Sequence, residues 1–294
     1  MGEHKGTAYI AAIGMFDGVH LGHSFLLQQL AAEAGKRGLE PLVLTFREHP
    51  LSVLNPEHAP ALISDPEQKQ QLIAGLGFNN ITALDFTPDD FRSTAADFVG
   101  KLRADFGVQA LLMGFNNHIG SDRKNASALA AECDIPVIEA APYPGEAVSS
   151  TAVRSALHKG DVAEAARLSG HPFSLRGTVV DGKKLGRTIG FPTANIRPVS
   201  AGQLIPAPGV YAVDAVLADG SIHRAVTNIG IRPTVDNSGH LSIETHIINY
   251  SGNLYGNDIE LRFIARMRDE QRFSSLDELK AGIAADCSRA IAII

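Results

Sequence analysis

The sequence predicts two successive domains of different class: an α/β domain in which helices cover a parallel sheet, then a smaller strand-rich domain that ends in a helix. Three observations carry this reading. From Thr7 to about Glu139, short apolar runs alternate with segments of helical period, the pattern of a helix-covered parallel sheet. Near Phe173 the alternation gives way to strands joined by Gly-containing turns. The length, 294 residues, is twice the roughly 150 residues of an average domain. The domains are accordingly expected at residues 1–170 and 171–294.

The first domain should open with a strand over Ala8–Ile13 and a helix over Ser24–Gly35, whose Leu26, Leu27, Leu30 and Ala34 would face the sheet. Further strands are expected at Pro41–Thr45, Ile81–Asp85, Ala110–Met113 and Pro136–Glu139. Between the third and fourth, Phe91, Ala95, Phe98, Val99, Leu102 and Phe106 recur at spacings of three and four and mark one helix over Asp89–Phe106. In the second domain, Val210–Leu217 and Ile222–Ile229 flank Asp219-Gly220, a hairpin signal. Ser242–Asn249 and Asp258–Ala265 are two more strands, and short antiparallel strands at this spacing suggest a small barrel or sandwich. Ser275-Leu276-Asp277-Glu278 reads as a capping box opening a last helix with Leu276, Leu279 and Ile283 on one face.

Composition narrows the function classes. With 45% hydrophobic and 20% charged residues the chain is that of a globular protein rather than a disordered one. No apolar run approaches the ~20 residues that span a bilayer, and Met1–Lys5 is not followed by the apolar stretch of a signal peptide, so a cytoplasmic protein without membrane partners is expected. A net charge of −6 argues against a protein built to neutralise a nucleic-acid backbone. Cys133 and Cys287, with no CxxC pair, read as buried small apolar side chains.

The segment from Ile13 to His23 (IGMFDGVHLGH) lies where the first strand gives way to the first helix, the place where an α/β sheet presents its ligand-binding loops. Gly14 and Gly18 allow the backbone close to a phosphate, the helix start offers free N–H donors, and His20 and His23 are spaced to point the same way. Imidazoles so placed can donate hydrogen bonds to charge growing on phosphoryl oxygens. A metal pair or ordinary polar caps are the competing readings, and zinc would need further ligands at a telling spacing. The segment resembles the HxGH nucleotidyltransferases, Rossmann-like enzymes that move a nucleoside monophosphate from a triphosphate onto an acceptor phosphate. A second motif of that superfamily is matched by Ser149-Ser150-Thr151-Ala152-Val153-Arg154. The resemblance implies that Gly14, Phe16, Asp17, Gly18, Ser150, Thr151 and Arg154 bind ATP while His20 and His23 act on the transferred phosphoryl group.

The Walker signature GxxxxGK[ST] and the pattern GxGxxG are both absent, so any kinase chemistry needs another phosphate cradle. The candidate runs from Gly177 to Asn195, with Gly182, Gly186 and Gly190 interleaved with Lys and Arg. Thr193 and Asn195 share one face of its extended end and offer oxygens of the kind Mg²⁺ accepts. A Gly-rich hairpin with both as turn residues is the plain alternative. This stretch resembles riboflavin kinase, reproducing G-x-x-x-G-x-x-x-G-x-P-T-A-N, and later blocks agree in order: Pro208–Ala212, Thr227–Thr234, Glu244-Thr245-His246, Leu254-Tyr255-Gly256 and Arg268–Phe273. An HxGH domain followed by a riboflavin kinase barrel is the layout of the bacterial bifunctional riboflavin kinase and FAD synthetase family.

That resemblance implies ATP-dependent conversion of riboflavin to FMN and then of FMN to FAD. It implies that Gly182, Gly186, Arg187 and Gly190 bind ATP, that Thr193 and Asn195 hold Mg²⁺, and that Glu244 is the general base for the ribityl hydroxyl. Asn116, in the first half, and Asn228, Arg268 and Glu270, in the second, fall to the flavin. Glu244 alternates with Ile243, Thr245 and Ile247, and a carboxylate suits the alcohol's proton; a solvated strand Glu is the plain reading. One block departs from the family's G-x-[DN]-F-R-F-G: here Gly114, Asn116 and Gly120 are kept, but Asn117, His118 and Ile119 replace two rings and an Arg. Weaker FMN binding is expected from that loss. Two alternatives compete: a nucleotidyltransferase for another phosphorylated small molecule, or a catalytically silent flavin- or nucleotide-binding second module.

Overall fold

The computed structural model describes residues 7–182, 186, 189–232 and 240–293. Arg187 therefore lies outside the described residues, as do Pro233 and Thr234 of the second domain's blocks. The chain separates into two compact units, Met1–Ser149 and Ser150–Ile294, each taken by itself below.

The first unit is a parallel sheet in the order β3-β2-β1-β4-β5, formed by β1 (Tyr9–Ile13), β2 (Glu40–Phe46), β3 (Ile81–Leu84), β4 (Val108–Met113) and β5 (Val137–Glu139). All of β1 is buried, which fits a central strand covered on both faces. Its residues divide by period two. Tyr9, Ala11 and Ile13 enter a core with Leu42, Leu44, Val99, Leu102, Leu111 and Leu129, while Ile10 and Ala12 enter another with Leu27, Leu30, Val43, Ile73 and Leu112. Helices α1 (Leu21–Arg37) and α3 (Pro66–Gly75) supply the second core. Between them a short helix α2 (Pro50–Leu54) leaves Leu51, Val53 and Leu54 exposed.

Where one helix was expected over 89–106, two form: α4 (Pro88–Arg92) and α5 (Ala95–Phe106). Thr87 caps the first in a capping box with Asp90, and Thr94 caps the second by accepting from the Asp97 N–H. Each Thr prefers that extended cap geometry to a helix interior, so the chain breaks at Ser93-Thr94 and Phe91 is left 51% exposed. Helix α1 starts at Leu21, three residues before the expected start, because the His20 ring takes the cap position. A five-residue helix α6 (Ala126–Ala130) precedes β5.

The second unit is a closed barrel in the order β10-β7-β6-β11-β8-β9, which decides between barrel and sandwich. Its strands are β6 (Ser174–Val180), β7 (Ala194–Pro198), β8 (Gly209–Leu217), β9 (Ile222–Arg232), β10 (His240–Ile247) and β11 (Asp258–Arg268). The Asp219-Gly220 hairpin joins β8 and β9 as expected, with Gly220 at φ 82° and Asp219 accepting from the Ser221 N–H. Helices α7 (Ser150–His158) and α8 (Val162–Ser169) belong to this unit, and α8 packs against β11. The expected division at 170 would have given both to the first domain. They stay with the barrel through contacts made there: Leu157 O accepts from the Ala207 N–H, and a Cβ at Gly160, between the two helices, would stand 2.7 Å from Tyr211 Oη and Arg266 Nε.

The last helix, α9 (Leu276–Ala292), is capped by Ser275, which accepts from the Glu278 N–H. The expected capping box closes only on that side. Glu278 reaches back to the N–H and Oγ of Ser274 instead of the N–H of Ser275. Helix α9 lies on β8, β9 and β11, outside the barrel, and thereby roofs a cavity described below.

Candidate active sites

In the first unit β1 has β2 on one side and β4 on the other, so the strand order reverses at its end and a crevice opens there. The loop from Gly14 to His20 fills that position. Its Phe16 (φ 48°) and Val19 (φ 36°) are left-handed although neither is Gly, and both side chains are buried in the core beneath. Each such residue costs on the order of 1–3 kcal/mol, offset by the burial that holds it. Gly18 is left-handed as well, and a Cβ there would meet Ile63 at 2.9 Å. Asp17 is buried, and its carboxylate accepts from the N–H groups of Ile63 (2.9 and 3.1 Å) and Ser64 (3.2 Å). The Gly18 N–H donates to Ser64 Oγ. Asp17, expected at the nucleotide, thus has its carboxylate engaged with the 63–64 segment behind the loop.

His20 and His23 come together as the spacing predicts, their rings stacked with centroids 3.7 Å apart. His20 Nδ1 accepts from the His23 N–H, which leaves Nε2 to carry the proton of the neutral ring. Burial pushes the His20 pKa down to about 4, and burial together with the nearby charges of His20 and Lys69 pushes His23 well below its usual value. Both rings are therefore neutral hydrogen-bond donors near pH 7. Among the described residues, His23 Nδ1 is buried without a hydrogen-bond partner.

Sequence reasoning missed Lys69. It is 3% exposed, and its ammonium donates to the carbonyls of Met15 (3.1 Å) and Phe46 (2.6 Å). A Lys in the first turns of a helix ordinarily reads as solvated, and no sequence signal marks this one.

Ser150, Thr151 and Arg154 occupy the first turns of α7, within the second compact unit. Asn116 is exposed on the loop after β4, and its carbonyl pairs with His118 Nδ1 at 3.2 Å. Of the departing residues, His118 is exposed, whereas Ile119 packs against the core and exchanges backbone hydrogen bonds with Lys124.

Two of the cavities of the barrel unit share Thr193 in their linings. The larger, about 570 Å³, is lined by Val179, Pro192, Ala194, Ile247, Tyr250 and Leu254 among others. The smaller, about 260 Å³, lies under α9 and is lined by Asn228, Glu244, His246, Arg268 and Glu270, with Leu279, Ile283 and Asp286 from the helix. Thr193 lines both. Glu244 stands opposite Asn195 in the β10–β7 pairing and, as its alternation predicts, faces away from the buried Ile243, Thr245 and Ile247. His246 Nδ1 holds the Pro192 carbonyl at 2.8 Å, fixing the segment that carries Thr193.

The glycines earn their places by close approach. A Cβ at Gly182 would fall 2.0 Å from the Asn195 amide, and one at Gly186 would fall 2.2 Å from the Phe191 carbonyl oxygen. Gly186 O accepts from the N–H groups of Ile189 and Phe191, so this turn folds back on the Thr193 segment. Gly190, left-handed at φ 88°, faces open space. Thr193 and Asn195 together offer a hydroxyl and an amide oxygen, hard neutral donors that suit Mg²⁺ when phosphates and water complete its shell. Among the described residues no group of three or more His, Cys, Asp and Glu is placed to hold a metal ion.

Of the residues expected at the flavin, Asn228 and Glu270 are joined by a 3.0 Å hydrogen bond on the cavity wall. Arg268 spends its donors elsewhere: Nε and Nη2 on the Asp286 carboxylate, at 3.0 and 2.7 Å, and Nη1 on the Asp269 carbonyl. It ties α9 to the barrel.

A family model described as FAD synthetase matches residues 3–152, and one described as riboflavin kinase matches 169–294. The bifunctional riboflavin kinase/FMN adenylyltransferase of Pseudomonas fluorescens is 37% identical over 298 residues, covering 99% of this chain and 94% of that protein. Its counterpart from Escherichia coli (strain K12) is 38% identical over 284 residues, covering 94% and 90%. A crystal structure from Streptococcus pneumoniae, described as a macrolide-efflux protein, matches with a TM-score of 0.90 and 32% identity over 98% of this chain and 95% of that one. No helix among the described residues is long and apolar enough to cross a membrane.

Proposed function

The chain belongs to the family of bifunctional riboflavin kinase/FMN adenylyltransferases, and we propose that the HxGH loop carries adenylyl transfer while the paired barrel cavities carry phosphoryl transfer. It is an ATP-dependent enzyme that makes FMN from riboflavin and FAD from FMN. The observation that carries the kinase assignment is that two cavities share Thr193 in their linings, with Glu244 on the wall of one. ATP would occupy the larger cavity, and the flavin the smaller, between Glu270–Asn228 and the apolar face of α9. The ribityl oxygen then attacks the γ-phosphorus, the bond from that phosphorus to the bridging oxygen of ADP breaks, and Glu244 takes the hydroxyl proton. Thr193 and Asn195 would hold Mg²⁺, which when bound neutralises charge on the phosphate oxygens. Gly182, Gly186, Arg187 and Gly190 complete the ATP cradle in this reading.

For adenylyl transfer, a phosphate oxygen of FMN attacks the α-phosphorus of ATP and pyrophosphate leaves. His20 Nε2–H and the His23 ring stabilise the oxygens on which charge grows, being neutral donors held in place before the substrate arrives. Gly14, Phe16 and Gly18 shape the loop, Asp17 braces it, and Ser150, Thr151 and Arg154 act on the triphosphate. Asn116 acts on the flavin. We place the enzyme in the cytoplasm, where ATP is available.

Crossed variants test the division of labour. With riboflavin and MgATP supplied and FMN and FAD separated, His23→Ala should lower FAD formation about 10²–10³-fold and leave FMN formation intact. Glu244→Gln should lower FMN formation about 10²–10⁴-fold, while supplied FMN is still converted to FAD. Loss of both activities in either folded variant would refute the assignment.

A further inference from the structure

The HxGH loop is held from behind by a side chain that the reaction scheme above leaves unused. Lys69, near the start of α3, is buried, and its Nζ bridges two carbonyls that belong to different strand ends: Met15, just after β1, and Phe46, at the end of β2. Met15 O also accepts from Thr45 Oγ1 at 3.0 Å. The segment leading into α3 is tied to the same loop by Asp17, through the Ile63 and Ser64 N–H groups, and by the Gly18 N–H on Ser64 Oγ. Loop, strand end and helix α3 are thus cross-braced around one ammonium. Burying an ammonium is unfavourable compared with an apolar side chain of similar length, so bracing alone is a poor reason for a charge here.

We propose that Lys69 is a positioning residue of adenylyl transfer: its buried ammonium sets the path of the loop that carries His20 and His23 and supplies a fixed positive charge behind the nucleotide phosphates. The inference rests on the assignment of that reaction to the His pair. The charged and titratable groups that bear on Lys69 are Asp17 from the loop and His23 from the start of α1. Burial draws the Lys69 pKa down to about 8, opposed by Asp17, so the charge is present at neutral pH and is lost within an accessible range.

Two measurements on the full chain test it. In the unmodified enzyme, FAD formation from supplied FMN should fall on an alkaline limb near pH 8 that FMN formation from riboflavin lacks. Lys69→Met, and Lys69→Gln, which keeps an N–H donor without the charge, should each lower kcat for FAD formation about 10²-fold, as misplaced catalytic groups do, with a much smaller change in KM for ATP. FMN formation should be unchanged in both, and the alkaline limb should vanish. Absence of the limb from the unmodified enzyme overturns the inference, a result that needs no variant to fold. So does a folded Lys69 variant within twofold of normal kcat beside an inactive His23→Ala. If His23→Ala itself makes FAD normally, the assignment beneath the inference has failed instead.

Discussion

A neutral imidazole and a cationic one would do different work at a phosphate, and the structure selects the neutral form. His20 accepts at Nδ1, its ring lies flat on His23, and burial disfavours charge on either. The spacing of the two His residues and their place after the first strand were legible in the sequence, because the side-chain identities themselves carry the motif. Lys69 was not, since a buried Lys differs from a solvated one only by what surrounds it. Asp17 and Arg268 show the converse. Both are where the family motif puts them, yet their polar atoms bond the protein: Asp17 the 63–64 segment, Arg268 the Asp286 carboxylate. Thr193 lines both cavities, and Asn195 pairs with Glu244 across β7 and β10. Replacing them by Val and Ala should raise the Mg²⁺ concentration needed for half-maximal FMN formation by an order of magnitude or more, since losing about 1.4 kcal/mol of binding is tenfold. FAD formation should keep its metal requirement. Magnesium titration of both reactions checks this, and an unshifted requirement for FMN formation would remove the pair from the metal.

At the scale of elements, the strands of the sheet were readable because β1 is a continuous apolar run buried along its whole length and β2 and β4 are buried along most of theirs. The helix over 89–106 was misread because its apolar periodicity crosses Ser93-Thr94 without interruption, and only the capping preference of Thr94 says otherwise. The barrel strands β6 and β7 hold the two ends of the Gly-rich block, and their mixture of polar, Gly and apolar residues keeps them from standing out. The apolar face of α9 was visible, but not its purpose: Leu279 and Ile283 line the cavity that the kinase reading gives to the flavin. The loop after β4 can now be divided. Ile119 packs inward against the first unit's core and pairs with Lys124, so it does not replace a ring that meets substrate. In the proposed reading Asn117 and His118 are the positions where a lost ring and a lost Arg would bear on FMN, and Phe115, 52% exposed beside them, would offer one ring in partial compensation. Restoring Phe and Arg at Asn117 and His118 alone should lower KM for FMN several-fold, a ring stack being worth about 0.5–1.5 kcal/mol. Adding Ile119→Phe should cost roughly 1–3 kcal/mol of stability by overfilling the core. Steady-state kinetics with FMN varied decide it: an unchanged KM in the double variant would show that the loop does not touch the flavin.

For the whole molecule, two compact units of different fold divide a two-step synthesis, and the His pair makes the stability of the first depend on pH. In the first unit His20 titrates near pH 4 when folded and near its usual value of about 6.5 when unfolded, and His23 shifts in the same direction. Between those values the unfolded chain binds more protons than the folded one, so stability falls as pH falls through that window. At pH 5 the loss from His20 alone is about 2 kcal/mol, and His23 adds to it. For a unit of this size each 1 kcal/mol moves Tm by roughly 2–4 °C, so going from pH 7 to pH 5 should lower the first unit's transition by several degrees through the His pair. The measurement is calorimetry at both pH values on the unmodified chain and on the double variant His20→Ala/His23→Ala. The variant gives up the cap that His20 supplies to α1 and melts lower at pH 7, but its further loss on acidification should be smaller. The double substitution, expected to depress FAD formation, would then make the first unit less sensitive to acid, because the two rings are kept neutral at the expense of stability. Equal acid losses in the two proteins would mean that the rings are not held neutral by burial, and that the donors proposed for adenylyl transfer are charged.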